Sequence, residues 1–110
     1  MAWQSIHRHA RIAPRKVRLV ADLIRGRHCD DALAVLKFSH KRAARFVEKV
    51  LRAAMASANE QSAAMKQLVV AEARIDEGPM IKRFKAKDRG RAHPIMKRNS
   101  HIVVAVDERE

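Results

Sequence analysis

Cysteine is all but missing. Cys29 stands alone in 110 residues, so no intrachain disulfide is possible and a reducing compartment suits the chain. Aromatic residues are scarce as well: Trp3, Phe38, Phe46 and Phe84 are the full set. That argues against a sheet that stacks a run of bases on exposed rings, and Phe38 and Phe46 are expected in the core. With only Gly26, Gly78 and Gly90, there is no glycine-rich loop to cradle a phosphate. The longest apolar run near the C-terminus, Ile102 to Val106, falls far short of the roughly 18 residues a membrane helix needs. No long apolar stretch follows Met1, so no secretory signal is expected. Arg8, Arg11, Arg15 and Arg18 precede the first acid, Asp22, as in an organelle presequence, but they fall within periodic elements that a fold would use.

Catalytic and metal constellations are equally thin. His28, Cys29 and Asp30 are consecutive, which does not bring three side chains to one reaction centre. His7 and His9 share a strand face, but no cysteine pair or helical histidine pair completes a zinc site. No enzyme activity, metal or cofactor is expected. Acid is the remaining shortage: 12 Asp and Glu face 24 Lys and Arg, giving a net charge of +12 and a pI near 11.1. Such a balance points to a polyanionic partner: nucleic acid, acidic lipid or acidic protein.

What the chain does contain is periodic. Residues 2–12 alternate weakly, placing Ala2, Ile6, Ala10 and Ile12 on one face, which suits an edge strand although Arg8 falls on that face. Pro14 fits the first position of a helix and Gly26 its C-terminal cap, with Val17, Val20, Ala21 and Ile24 as the buried stripe. Ala13, at the N-cap, forgoes roughly 1 kcal/mol of capping. A short second helix is predicted from Asp30 or Asp31 to Phe38, with Ala32, Leu33 and Leu36 inward. Ser39 then caps a third, reaching about Asn59, whose inward residues are Ala43, Val47, Val50, Leu51, Ala54 and Ala58. From Gln67 the period changes to two, with Val69, Ala71, Ala73 and Ile75 opposed to Glu72, Arg74 and Asp76. The last strand, His101 to Asp107, is apolar on both faces and is predicted to be central.

Between those strands lies Lys82 to Arg98, with eight Lys or Arg and Asp88 as the lone acid. So little apolar surface cannot be drawn into a core, and its charges repel one another within a Debye length of about 10 Å. The segment reads as an extended hairpin standing outside the core, turning near Gly90, with a distal half (about Lys85 to His93) that orders on binding. Phe84 has two open uses: stacking on an unpaired base or packing at the root of the arm. On the first helix Arg15, Arg18, Asp22 and Arg25 fall opposite the apolar stripe with Lys16 and Arg11 beside them, a guanidinium face suited to phosphates. On the third, Arg42, Arg45, Lys49 and Arg52 recur at helical spacing, diluted by Glu48, which is placed to pair with Arg52. A free-standing DNA-binding protein would use such an arm in a groove, but no heptad seam offers a dimer interface. Peripheral membrane binding would need apolar stripes that the core already claims.

The runs Arg11-Ile12-Ala13-Pro14-Arg15-Lys16-Val17-Arg18, Asp76-Glu77-Gly78-Pro79, Lys82-Arg83, Gly90-Arg91-Ala92, Lys97-Arg98 and Ser100-His101-Ile102 resemble, in order, those of the bacterial large-subunit ribosomal protein L twenty-two family. The resemblance extends from about Ile6 to Asp107. It implies an α+β fold: three helices on a small three-stranded antiparallel sheet, with a long protruding β-hairpin. The whole chain, 1–110, would be one RNA-binding domain with 79–99 as its basic arm. By residue, the resemblance assigns contacts with large-subunit ribosomal RNA to Arg11, Arg15, Lys16 and Arg18 on the first helix motif, and to Lys82, Arg83, Gly90, Arg91, Lys97 and Arg98 on the hairpin motif. The charge reading adds Arg25, Lys85, Lys87 and Arg89. The arm tip, Lys85, Ala86, Lys87, Asp88, Arg89, Gly90 and Arg91, would line the nascent-peptide exit tunnel. The family has no enzymatic activity and helps assembly by bridging RNA domains. Its partners are ribosomal RNA, neighbouring ribosomal proteins and the nascent peptide, in cytoplasmic ribosomes, with no membrane and no homo-oligomer. The chain departs from the pattern in three places: Ala86-Lys87-Asp88-Arg89 before the tip glycine, Pro94 on the returning strand, and Ala13 before the helix proline.

Overall fold

The computed structural model describes residues 2–61, 67–78, 81–87, 91–97 and 99–108, and for 81–87 and 91–97 the backbone alone. The elements run β1 (Ala2–Ala10), α1 (Pro14–Ile24), α2 (Cys29–Phe38), α3 (Arg42–Glu60), β2 (Leu68–Glu77), β3 (Ile81–Lys87), β4 (Arg91–Lys97) and β5 (Ser100–Glu108). Three strands form an antiparallel sheet in the order β1-β5-β2, and β3 pairs with β4 in a separate two-stranded ribbon. This is the expected three-helix, three-strand α+β body with a hairpin.

β5 is central because both its faces are apolar: Ile102, Val104 and Val106 are sealed under the helices, and Val103 and Ala105 are buried on the other side. α3 lies over β1 and β5, α1 lies along β2, and α2 packs on α3. The inward stripe of α1 is Val17, Val20, Ala21 and Ile24, as the spacing predicts. That of α3 contains all six expected residues plus Ala44, and its alanines let the helix approach the sheet closely. Each fully buried aliphatic side chain contributes about 1.5–3 kcal/mol, so this shared core dominates the stability of the body.

Two β-bulges overturn the simple alternation read for the edge strands. In β1 the inward face is Trp3, Ser5 and His7, whereas Ile6, expected inside, is 43% exposed. Register with β5 shifts between His7 and Ala10, and His9 takes a φ of 58°; the extra residue flips the phase so that Ala10 and Ile12 do turn inward. Arg8 is thereby exposed, which removes the conflict its position posed. In β2 the shift falls between Val70 and Glu72, so Ala71 is exposed while Leu68, Val70, Ala73 and Ile75 face the core. Val69, on the opposite phase, is covered where His28 bridges to it.

Local chemistry accounts for the helix ends. Ala13 sits in extended conformation before Pro14 and offers no side-chain cap, as expected. Instead the buried Ser100 hydroxyl donates to the Ile12 carbonyl at 2.6 Å, tying the start of α1 to β5. Gly26, at φ 82°, ends α1 and lets the following residues turn onto the free edge of β2: the Gly26 N–H donates to the Val70 carbonyl at 3.0 Å, and the Val70 N–H to the Arg27 carbonyl at 2.8 Å. α2 begins at Cys29, slightly earlier than read, with that thiol buried and pushed up from 9.0 to about 11 by desolvation and then by Asp30. Ser39 does not cap α3. It closes α2 and its hydroxyl accepts from the Lys41 N–H at 3.3 Å, leaving Lys41 as an N-cap without a side-chain bond.

Candidate nucleic-acid interface

The cationic residues fall into two groups by what they touch. On α1, Arg18 and Arg25 reach over the free edge of β2 and donate to the outward-facing carbonyls of Ile75 (3.2 Å) and Ala73. An edge strand exposes such unpaired groups, and guanidinium forks satisfy them. Arg25 also pairs with Asp22 at 2.7 Å. Arg27 turns back on its own helix, its Nε donating to the Leu23 carbonyl at 2.6 Å. Arg11, Arg15 and Lys16, by contrast, are exposed, and their side chains form no hydrogen bond or ion pair with the described residues. They make a cationic corner where β1 enters α1.

On α3 the spacing of basic residues resolves differently. Glu48, 13% exposed in its side chain, lies between Arg45 (2.7 Å) and Arg52 (3.0 Å), so the pair with Arg52 forms as read and a second joins it. Arg45 spans three carbonyls at the C-terminus of α2: Leu36 at 2.9 Å, Lys37 at 3.3 Å and Ser39 at 2.8 Å. The arginine covers the negative end of that helix. Arg42 lies over the Phe46 ring at 5.4 Å, and Phe46 packs partly buried against the core. Phe38, expected in the core beside it, is 85% exposed instead. The signal was legible: the stripe Ala32, Leu33 and Leu36 leaves position 38 on the far side of a 3.6-residue helix.

The arm leaves the body through a narrow root. The Gly78 N–H donates to the Asn99 carbonyl at 3.0 Å, and a Cβ on Gly78 would come within 3.2 Å of both Asn99 and His101. A side chain at this position would have to push one of them back by a few tenths of an ångström. Beside it the His101 Nδ1 accepts from the His9 N–H at 3.1 Å, which anchors the β1 bulge to β5. Beyond the root, β3 and β4 pair without a break from Ile81↔Lys97 to Lys87↔Arg91, so the ladder runs through Phe84↔Pro94 and is not interrupted there. A proline is tolerated where its missing N–H would face away from the ladder. Seven paired positions at 3.3 Å each carry the ribbon roughly 20 Å. No element of the body packs extensively on it, and the molecule measures 64 × 25 × 17 Å.

These strands contain Lys82, Arg83, Lys85, Lys87, Arg91 and Lys97 and no acid. Asp88, Arg89, Gly90 and Arg98 lie outside the described residues, as does Pro79. A two-stranded ribbon is marginal in water without a surface to lie on. A self-paired basic ribbon and a cationic corner can grip a polyanion by charge and shape; among the described residues no three or more His, Cys, Asp or Glu side chains gather as metal ligands. No helix among those residues is long and apolar enough to cross a membrane.

The family model described as ribosomal protein L22p/L17e matches residues 5–107. The chain is 53% identical to the large ribosomal subunit protein uL22 of Lactobacillus delbrueckii subsp. bulgaricus over 102 residues, 92% of this chain and 87% of that one. It is 49% identical to the protein of the same name from a Thermoanaerobacter species, across the full length of both. With that of Clostridium novyi it shares 46% identity over 99% of each.

Proposed function

Because the chain belongs to the ribosomal protein L22p/L17e family, we propose that it is a structural constituent of the large ribosomal subunit in the cytoplasm, not an enzyme, and that it works by gripping ribosomal RNA. The observation that carries this reading is the acid-free, lysine- and arginine-rich ribbon of β3 and β4, which pairs with itself and on which no element of the body packs extensively. Phosphates where RNA helices approach one another supply the surface such a ribbon lacks, and neutralising them bridges those helices during assembly.

Within that role, Arg11, Arg15 and Lys16 contact RNA from the body, and Lys82, Arg83, Lys85, Lys87, Arg89, Arg91, Lys97 and Arg98 contact it from the arm. Arg18 and Arg25 serve twice: each holds the edge of β2 through one guanidinium nitrogen and, being exposed, also meets RNA, although Arg25 shares its charge with Asp22. The segment from Lys85 to Arg91 lines the exit tunnel and meets the nascent peptide, and neighbouring ribosomal proteins abut the body. The test is binding of the full chain to large-subunit ribosomal RNA across a salt series. A plot of log affinity against log salt is expected to fall by about 0.7–0.9 for each phosphate contacted. A flat plot, or loss from large subunits in a moderate salt wash with retention on DNA, overturns the reading.

A further inference from the structure

We propose that Phe38 is a stacking platform for one unpaired base of the large-subunit ribosomal RNA, a contact made by the body of the protein at a distance in sequence from the arm. The inference rests on the RNA-binding reading above and adds a site to it.

Phe38 ends α2 with 85% of its surface exposed, and no ring or guanidinium partner meets it among the described residues. Phe46 shows the alternative: it lies under Arg42 and beside His7, whose ring is 5.7 Å away. The ring of Phe38 is also held on a fixed base. The Ser39 N–H donates to the Val35 and Leu36 carbonyls at 3.2 and 3.3 Å, and Arg45 fastens the carbonyls on either side of Phe38, those of Lys37 and Ser39. A turn clamped this way presents its side chain from a backbone with little ordering left to lose on binding.

Charge selects the partner. Lys37, His40, Lys41 and Arg42 are exposed around the ring in sequence, and no acid occurs between Asp31 and Glu48. Glu48 is already engaged by Arg45 and Arg52. Arg45 covers the α2 carbonyl end that would otherwise repel a phosphate. An apolar protein surface would leave these cations unpaired. An acidic protein surface would pair them but has no use for a bare aromatic face. A single-stranded nucleotide satisfies both, with phosphate on Lys37 and Lys41 and a base on the ring.

The test places p-benzoylphenylalanine at position 38 of the full chain, isolates large subunits that contain it, and maps the photoproduct. A crosslink to one ribosomal RNA nucleotide is expected; a crosslink to a ribosomal protein, or none from subunits that hold the chain, overturns the inference. Absence of the chain from large subunits would instead overturn the reading beneath it. In parallel, Phe38→Ala should weaken binding to large-subunit ribosomal RNA by about tenfold with an unchanged unfolding midpoint, and Phe38→Trp should retain it. Phe38→Leu separates stacking from plain apolar contact: it should stay weak, and full recovery would sink the proposal.

Discussion

The body and the arm treat the same backbone problem in opposite ways. In the body every strand has a helix or another strand beside it, and even the free edge of β2 is closed by Arg18, Arg25 and the residues after α1. In the arm β3 and β4 pair with each other, and no element of the body packs extensively on them. Several of the body's arginines are thus internal fasteners, while the arm's cations belong to a separate ribbon on which no element of the body packs extensively. A net charge of +12 therefore does not spread its meaning evenly: part of it is consumed in folding and part is held for a partner.

The contrast makes stability and binding separable. The largest effect on stability is expected from Leu51→Ala, which opens a cavity where α3 meets the sheet: about 2–5 kcal/mol should be lost in denaturant unfolding, and a loss under 1 would mean that the body is not the cooperative unit. Next comes alkaline pH. The native Cys29 thiol ionises near 11 against 9.0 when exposed, so the folded state holds its proton longer. The contribution of this thiol to stability should be unchanged below pH 9 and fall by about 2–3 kcal/mol as pH rises to 11, a component of any alkaline decline that Cys29→Ala should remove. The smallest effect on stability belongs to the arm. Arg83→Glu combined with Arg91→Glu should shift unfolding by no more than about 0.5 kcal/mol, yet cut incorporation into large subunits sharply. Global unfolding of that double variant by circular dichroism would break the division between the two regions.

Much of the body was legible because one strong period dominates each helix. Val17, Val20, Ala21 and Ile24 could be buried in only one way, and the same holds for the α3 stripe. Strands were harder, since a period of two is destroyed by a single extra residue: Ile6 and Ala71 were assigned inward and are exposed because bulges near His9 and Ala71 reverse the phase on either side. Phe38 is exposed because its position on the helix outweighs the general preference of aromatic residues for the core. The candidate interface was visible in outline as a charge run, and the ladder across Pro94 was not, because a proline's effect depends on which side of the strand its nitrogen faces.

Local pattern and composition were enough to specify three amphipathic helices, a doubly apolar central strand and a basic insert that no core would accept, since each follows from where water can be excluded. Which cations are spent was a matter of tertiary contact. Arg15 and Arg18 look alike on a helical projection, and only the neighbouring edge of β2 sets them apart: one meets an unpaired carbonyl 57 residues away in the chain, and the other meets solvent.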